Sequence, residues 1–171
     1  MEDITKIVER IPERVRWEIA ARAFTGIASV YNKILLDILG KEKFYEMLEA
    51  IWSENGRNFI PAIKEAFRMP AENAVDAMNM VVAASILSMG PEFEMRVIER
   101  SAKRAVARTF KCPWLERYRE MGVAGSIDCV YGDLAFCREG LKAINPKFSV
   151  RITKAMPRGD PYCEHVVELL E

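Results

Sequence analysis

The sequence lacks several features that would assign it a function at once. Its 171 residues include a single histidine, and its four cysteines form no C-x-x-C pair. No apolar run approaches the roughly 18 residues needed to cross a bilayer. The first ten residues, MEDITKIVER, contain no apolar signal-peptide core. We therefore expect a cytoplasmic protein with no membrane partner.

The chain also lacks net charge, because lysine plus arginine and aspartate plus glutamate number 25 each. Without a positive field, no nucleic-acid partner is expected. Half of the residues are hydrophobic, which excludes a disordered chain and supports a buried core. The expected partner is a small-molecule ligand or substrate. A helical layer can cover its own sheet or pack on a second copy of the chain, so a homodimer stays open.

Residues 2–90 carry apolar side chains at spacings of three and four, which predicts helices. Proline and glycine predict the ends of these helices. One helix is expected from Lys41 to the Asn55-Gly56 pair, and a separate one follows it. Pro70 marks the expected start of the last helix, which ends at Gly90-Pro91.

After Pro91 the period of the apolar pattern changes to two, which predicts a hairpin from the runs 93–100 and 104–110. Two helices follow, from Pro113 and from about Ser126 to Ile144, and residues 148–171 form a second hairpin. The order predicts an α+β fold, with an N-terminal helical layer followed by a β-β-α-α-β-β unit that has a four-stranded antiparallel sheet. We divide the chain into a helical segment, 1–90, and an α+β segment, 91–171, within one compact domain.

The cysteines and the histidine all lie after residue 111. Cys163 and His165 are two residues apart on a predicted strand, so they face the same way. Cys129 and Asp133 are one helical turn apart. Cys137 lies about 12 Å along the helix from Cys129, too far for both to bind one ion. We therefore interpret Cys129 and Asp133 as the functional pair and Cys137 as a small buried hydrophobe.

Cys112 precedes a predicted helix, whose N-terminus favours an anion and hence a thiolate. Folding the sheet under the late helices would bring Cys112, Cys129 and Cys163 together, with Asp133 and His165 nearby. Thiolate and imidazole ligands suit zinc or iron. A reactive thiol and inert packing remain alternatives to this metal site.

These residues resemble a known family. The series Cys112-Pro113-Trp114, Cys129-x3-Asp133, Asn145-Pro146 and Arg158-Gly159-Asp160-Pro161-Tyr162-Cys163 is similar to the L-2-amino-thiazoline-4-carboxylic acid hydrolase family over roughly residues 92–171. The resemblance implies that Cys129, Asp133 and Cys163 are site residues, with Cys112 as a companion. The family pattern favours an aromatic residue, usually phenylalanine, where this chain has His165.

The C-terminal hairpin is also similar to that of vinyl-reductase-type small-molecule-binding domains, which occur in sensors of aromatic compounds. Zinc-binding members of that group have a further cysteine eight residues before the last one, where this chain has Ala155. The resemblance therefore implies a small-molecule pocket but does not supply this metal ligand.

Two functions follow as hypotheses. The first is a hydrolase of a small cyclic amidine or C–N bond. Its nucleophile is Cys129 or a hydroxide on a metal held by Cys112, Cys129 and Cys163, with Asp133 as base and His165 as proton donor to the leaving nitrogen. The alternative is a non-enzymatic binding or sensor module with an apolar pocket and a structural metal or none.

Overall fold

The computed structural model describes residues 4–171, and it confirms the α+β fold. Helices precede and interrupt a four-stranded antiparallel sheet of strand order β1-β2-β4-β3. In the described part the elements are α1 (Ile4–Glu9), α2 (Glu13–Leu39), α3 (Lys41–Phe67), α4 (Ala74–Met89), β1 (Glu94–Arg100), β2 (Arg104–Lys111), α5 (Pro113–Glu120), α6 (Val130–Ile144), β3 (Phe148–Lys154) and β4 (Cys163–Leu169).

One face of the sheet packs against helices. Ala107 on β2 pairs with His165 on β4, and Thr109 pairs with Cys163. Ala107 belongs to the main hydrophobic core together with residues of α3, α4 and α6. Because side chains alternate along a strand, Cys163 and His165 lie on this helix-facing side. Both predicted segments, 1–90 and 91–171, contribute to the same core.

Helix α3 is continuous, so the predicted break at Asn55-Gly56 is wrong. Gly56 is instead a packing residue, because a Cβ at this position would lie 2.2 Å from the carbonyl oxygen of Phe136 on α6. Gly140 of α6 meets the same interface, where a Cβ would lie 2.6 Å from Ile60. Both glycines let the two helices approach closely, and this outweighs the low helix propensity of glycine.

Two helix starts also differ from the predictions. Helix α6 begins at Val130 rather than near Ser126, because the Asp128 carboxylate accepts a hydrogen bond from the Val130 N–H at 3.1 Å. Cys129 therefore occupies the N-cap position, one turn before Asp133, whose N–H donates to the Cys129 carbonyl at 3.0 Å. Helix α4 begins after Asn73, whose side chain accepts two backbone N–H groups, and not at Pro70.

Helix α2 has a buried inner face of small and polar residues, Ala21, Thr25, Ser29 and Asn32, and an apolar outer face. Its inner face is buried by the rest of the protein, whereas the outer face leaves large apolar side chains 39–71% exposed. They are Val15, Ile19, Ile27, Val30, Ile34 and Ile38. Between residues 4 and 171, no helix combines the length and the hydropathy that a membrane crossing requires.

Replacing Gly56 with alanine tests the close packing of α3 and α6. We expect the free energy of unfolding to fall by roughly 1–3 kcal/mol, because the added methyl group meets the Phe136 backbone. The matched control is Gly26→Ala in α2, where a Cβ meets no atom within 4 Å and should stabilise the helix by about 1 kcal/mol. Chemical denaturation of both variants measures the difference, and equal stabilisation would contradict this packing.

Candidate functional site: an apolar cavity above an Asp133–His165 pair

A cavity of about 400 Å³ lies among the helices. Its walls come from α2, α3, α4, α5 and α6, and aromatic side chains dominate them. The aromatic residues include all three tryptophans of the sequence, and the main ones are Trp17, Phe24, Trp52, Trp114, Tyr118 and Phe136. This size and composition are typical of small-molecule sites.

Asp133 lies at the floor of this cavity. Its carboxylate accepts a hydrogen bond from Nε2 of His165 at 2.9 Å. The His165 side chain is only 5% exposed, whereas that of Asp133 is 40% exposed. Asp133 lines the cavity and His165 does not, so the exposed surface of the carboxylate faces the cavity. The geometry thus presents an anionic group, held by a buried imidazole, to any bound molecule.

The two groups form an ion pair. Burial alone raises the pKa of Asp133 and lowers that of His165, because it penalises both charges. Their mutual attraction and their hydrogen bond outweigh burial. The pKa of Asp133 therefore lies below its ordinary 3.8, and the pKa of His165 lies above its ordinary 6.5.

Cys137 is a third member of this cluster. Its side chain is 1% exposed and belongs to the main core, as expected for a buried hydrophobe. Its Sγ also lies 3.6 Å from Oδ1 of Asp133, to which the thiol donates. In contrast, the other ring nitrogen of His165, Nδ1, is buried and has no hydrogen-bond partner in the described part of the chain.

The remaining thiols surround the pair. Cys112 and Cys129 line the cavity together with Asp133. Cys163 does not line it, and its Sγ accepts the Met156 N–H at 3.3 Å. Burial raises the pKa of Cys112 to about 11, whereas the backbone N–H groups at the start of α5 act in the opposite direction. Burial likewise raises the pKa of Cys163 to about 12 and that of Cys129 well above its ordinary value.

One compact set of metal-ligating atoms occurs within residues 4–171. The donor atoms of Asp133, Cys137 and His165 all lie within 4.8 Å of one another, and no other group of such residues in this part of the chain is as compact. The ligand set Cys112, Cys129 and Cys163 stays a prediction. The sequence places Asp133 and Cys137 one helical turn apart and predicts His165 near Asp133, but it does not predict that Cys137 joins this pair.

The residues that line the cavity determine its charge. Among the described residues that line it, Asp133 is the one ionised side chain, and none is lysine or arginine. A buried anionic ligand would find no cationic partner there and would lie beside a carboxylate. The site therefore favours neutral or cationic molecules.

Fold and site together define an α+β protein with an internal, small-molecule-sized cavity. The family model of L-2-amino-thiazoline-4-carboxylic acid hydrolase matches residues 16–166, so the chain belongs to this family and is hydrolase-like. A comparison with curated protein sequences finds no significant match.

Solved structures share this fold. The phenol-responsive sensory domain of the transcription activator PoxR with phenol is 16% identical, with a TM-score of 0.61, over 85% of this chain and 74% of that chain. Trafficking protein particle complex subunit 3 from Naegleria fowleri, covalently bound to palmitic acid, is 15% identical, with a TM-score of 0.59, over 93% of this chain and 98% of that chain. Similarity at this level of identity shows the fold and not the function.

The ion pair predicts the titration of His165, which is the sole histidine and so gives one imidazole signal in NMR spectra. In chelator-treated protein, we expect a midpoint above 6.5. In Asp133→Asn, it should fall below 6.5, because burial remains and the attraction is lost. The control Asp128→Asn removes a carboxylate that pairs with Arg158 and should leave the midpoint unchanged.

The same shifts fix the pH range in which the pair stabilises the fold. Its contribution is complete between pH 3.8 and 6.5, the ordinary values of the two groups. It is lost as the pH rises through the raised pKa of His165 or falls through the lowered pKa of Asp133. An identical midpoint for His165 in the wild type and Asp133→Asn would contradict the ion pair.

Proposed function

We propose that the protein hydrolyses a C–N bond of a small cyclic amidine bound in the cavity. The observation that carries this proposal is the Asp133 carboxylate, which faces an apolar cavity and is held from behind by His165. Membership of the hydrolase family supports the reaction type. The aromatic walls suit a flat ring, and their faces attract a cation such as an amidinium.

The charge of the cavity narrows the substrate. An amidinium N–H can donate to Asp133, and the lowered pKa keeps this carboxylate ionised at neutral pH. A carboxylate on the ring would lie in the same cavity without a lysine or arginine to pair with. We therefore infer that the preferred substrate is a cyclic amidine without a carboxylate, rather than the thiazoline carboxylate of the family name.

Water is the nucleophile that fits the site best. Cys129 lines the cavity, but burial raises its pKa well above the ordinary value, so the thiol is protonated at neutral pH. In the proposed reaction, a water oxygen adds to the amidine carbon and Asp133 accepts the proton released. The proton then passes to the ring nitrogen as the C–N bond breaks. His165 does not line the cavity, so it positions Asp133 and does not touch the substrate.

A binding module is the second candidate, and the apolar lining favours it. The similar PoxR domain was solved with phenol, and the similar trafficking subunit with palmitic acid. In this chain, Asp133 would accept a hydrogen bond from a phenolic hydroxyl, and the aromatic walls would cover the ring. Such a site binds without turnover.

Asp133→Asn separates the two candidates when 2-aminothiazoline and phenol are the probes. For an enzyme, turnover of 2-aminothiazoline, measured as a ring-opened product one water heavier, should fall about 100-fold or more. Phenol binding, measured by fluorescence of the tryptophans that line the cavity, should change little. Asp128→Asn is the control, because Asp128 lies outside the cavity lining.

The outcomes of these measurements distinguish the hydrolase from the binding module and test the charge of the substrate. Turnover of 2-aminothiazoline ahead of its 4-carboxylate supports the proposed substrate charge, and the reverse order contradicts it. Phenol binding without turnover of either amidine supports the binding module. Equal turnover by the wild type and Asp133→Asn would exclude Asp133 as the acid-base group.

We also propose that two copies of the chain pack through the outer face of α2. This face is apolar along much of the helix, and a chain with no net charge does not repel its copy. Light scattering should give twice the monomer mass for the wild type and the monomer mass for Ile27→Lys. The control Ile98→Lys changes an equally exposed isoleucine on β1 and should remain dimeric. A monomeric wild type would refute this interface.

A further inference from the structure

The cluster below the cavity combines three kinds of metal ligand. Asp133 and Cys137 lie one turn apart on α6, which places a carboxylate and a thiol on one side of the helix. His165 reaches the same point from β4. Their donor atoms lie within 4.8 Å of one another. Two separate elements therefore converge on a volume of the size that one ion occupies.

The distances agree with a single ion. Zinc binds nitrogen, oxygen and sulfur donors at about 2.0–2.3 Å, which places the donors of a tetrahedral site roughly 3–4 Å apart. Here His165 Nε2 lies 2.9 Å from Oδ2 of Asp133, and Cys137 Sγ lies 3.6 Å from Oδ1 of the same carboxylate. Small side-chain rotations would therefore be enough to place all three donors around one ion.

The surroundings of the cluster add a second observation. Cys137 and His165 are buried, whereas Asp133 is 40% exposed towards the cavity. A three-ligand site at this place has one open side, as catalytic zinc sites do.

The other cysteines are placed differently. Cys112 lies against the sulfur of Met89 at 3.9 Å, and Cys163 accepts a backbone N–H. Neither belongs to the compact donor group. We propose that Asp133, Cys137 and His165 together bind one zinc or iron ion, whose open coordination position faces the cavity. If the ion supplies hydroxide to the substrate, that role rests on the proposed function, whereas binding of the ion does not.

Metal titration of the chelator-treated chain tests this site. Zinc content by elemental analysis should reach about one ion per chain in the wild type. Cobalt should give a thiolate-to-metal charge-transfer band that requires Cys137. Cys137→Ser should lose this band and weaken zinc binding at least 10-fold. Cys112→Ser and Cys163→Ser are the matched controls and should retain both.

A second variant tests the metal site even if Cys137→Ser does not fold. Asp133→Asn changes a partly exposed ligand and should also weaken zinc binding, while its circular dichroism spectrum stays that of the wild type. The proposal is overturned if the wild type takes up no zinc or iron. It is also overturned if Cys137→Ser binds as tightly as the wild type, or if Cys112→Ser or Cys163→Ser loses the ion instead.

Metal binding and turnover are measured independently, so one proposal can fail without the other. Zinc bound through Cys137, together with no hydrolysis of any amidine, leaves the metal site standing and removes the hydrolase proposal. Hydrolysis by protein that binds no metal removes the metal site and leaves the acid-base role of Asp133.

Discussion

Helices α3 and α6 approach so closely that a side chain larger than hydrogen would collide at three points of their interface. A Cβ at Gly56 would meet the backbone of Phe136, and one at Gly140 would meet Ile60. A Cβ at Gly132 would lie 2.6 Å from the indole of Trp52. The last of these contacts is also a wall of the cavity. The position of Asp133, next to Gly132, therefore depends on how tightly the two helices pack.

Besides the close packing of α3 and α6, an electrostatic constraint acts on the site. A carboxylate at the floor of an apolar cavity needs a compensating positive charge, and removing one partner of a buried ion pair is strongly destabilising. His165 provides this charge from the sheet, behind the carboxylate, so that the cavity side of Asp133 stays free. The same arrangement places a hydrogen-bond acceptor within reach of a ligand and keeps the partner out of its way. The apolar environment strengthens both the hydrogen bond between Asp133 and His165 and the hydrogen bond that a ligand would donate to Asp133.

Much of the fold could be predicted because its signals are local. Both hairpins follow from a period of two, and Pro113 begins α5 as expected of a proline at the first position. The break predicted at Gly56 failed because glycine has two roles, and sequence alone does not distinguish a turn from a close helix contact. The start of α6 was misplaced because the apolar pattern continues before the helix, up to the turn in which the Asp128 side chain accepts the Val130 N–H.

The site could be predicted in part. Asp133 was predicted as a site residue because it lies one helical turn from Cys129. His165 was predicted because it is the sole histidine and lies two residues from Cys163 on a strand. Their direct contact was not foreseen, because it depends on the register of β4 and on the depth at which α6 crosses the sheet. Cys137 lies next to the carboxylate because it is one turn after Asp133 on α6.

The identity of residue 165 therefore limits what residue 133 can be. With the phenylalanine that is usual in the family pattern, an aspartate at 133 would face an aromatic ring and remain an uncompensated charge inside the protein. In this chain the imidazole at position 165, near the start of β4, supplies the positive charge that an ionised acid at position 133 needs.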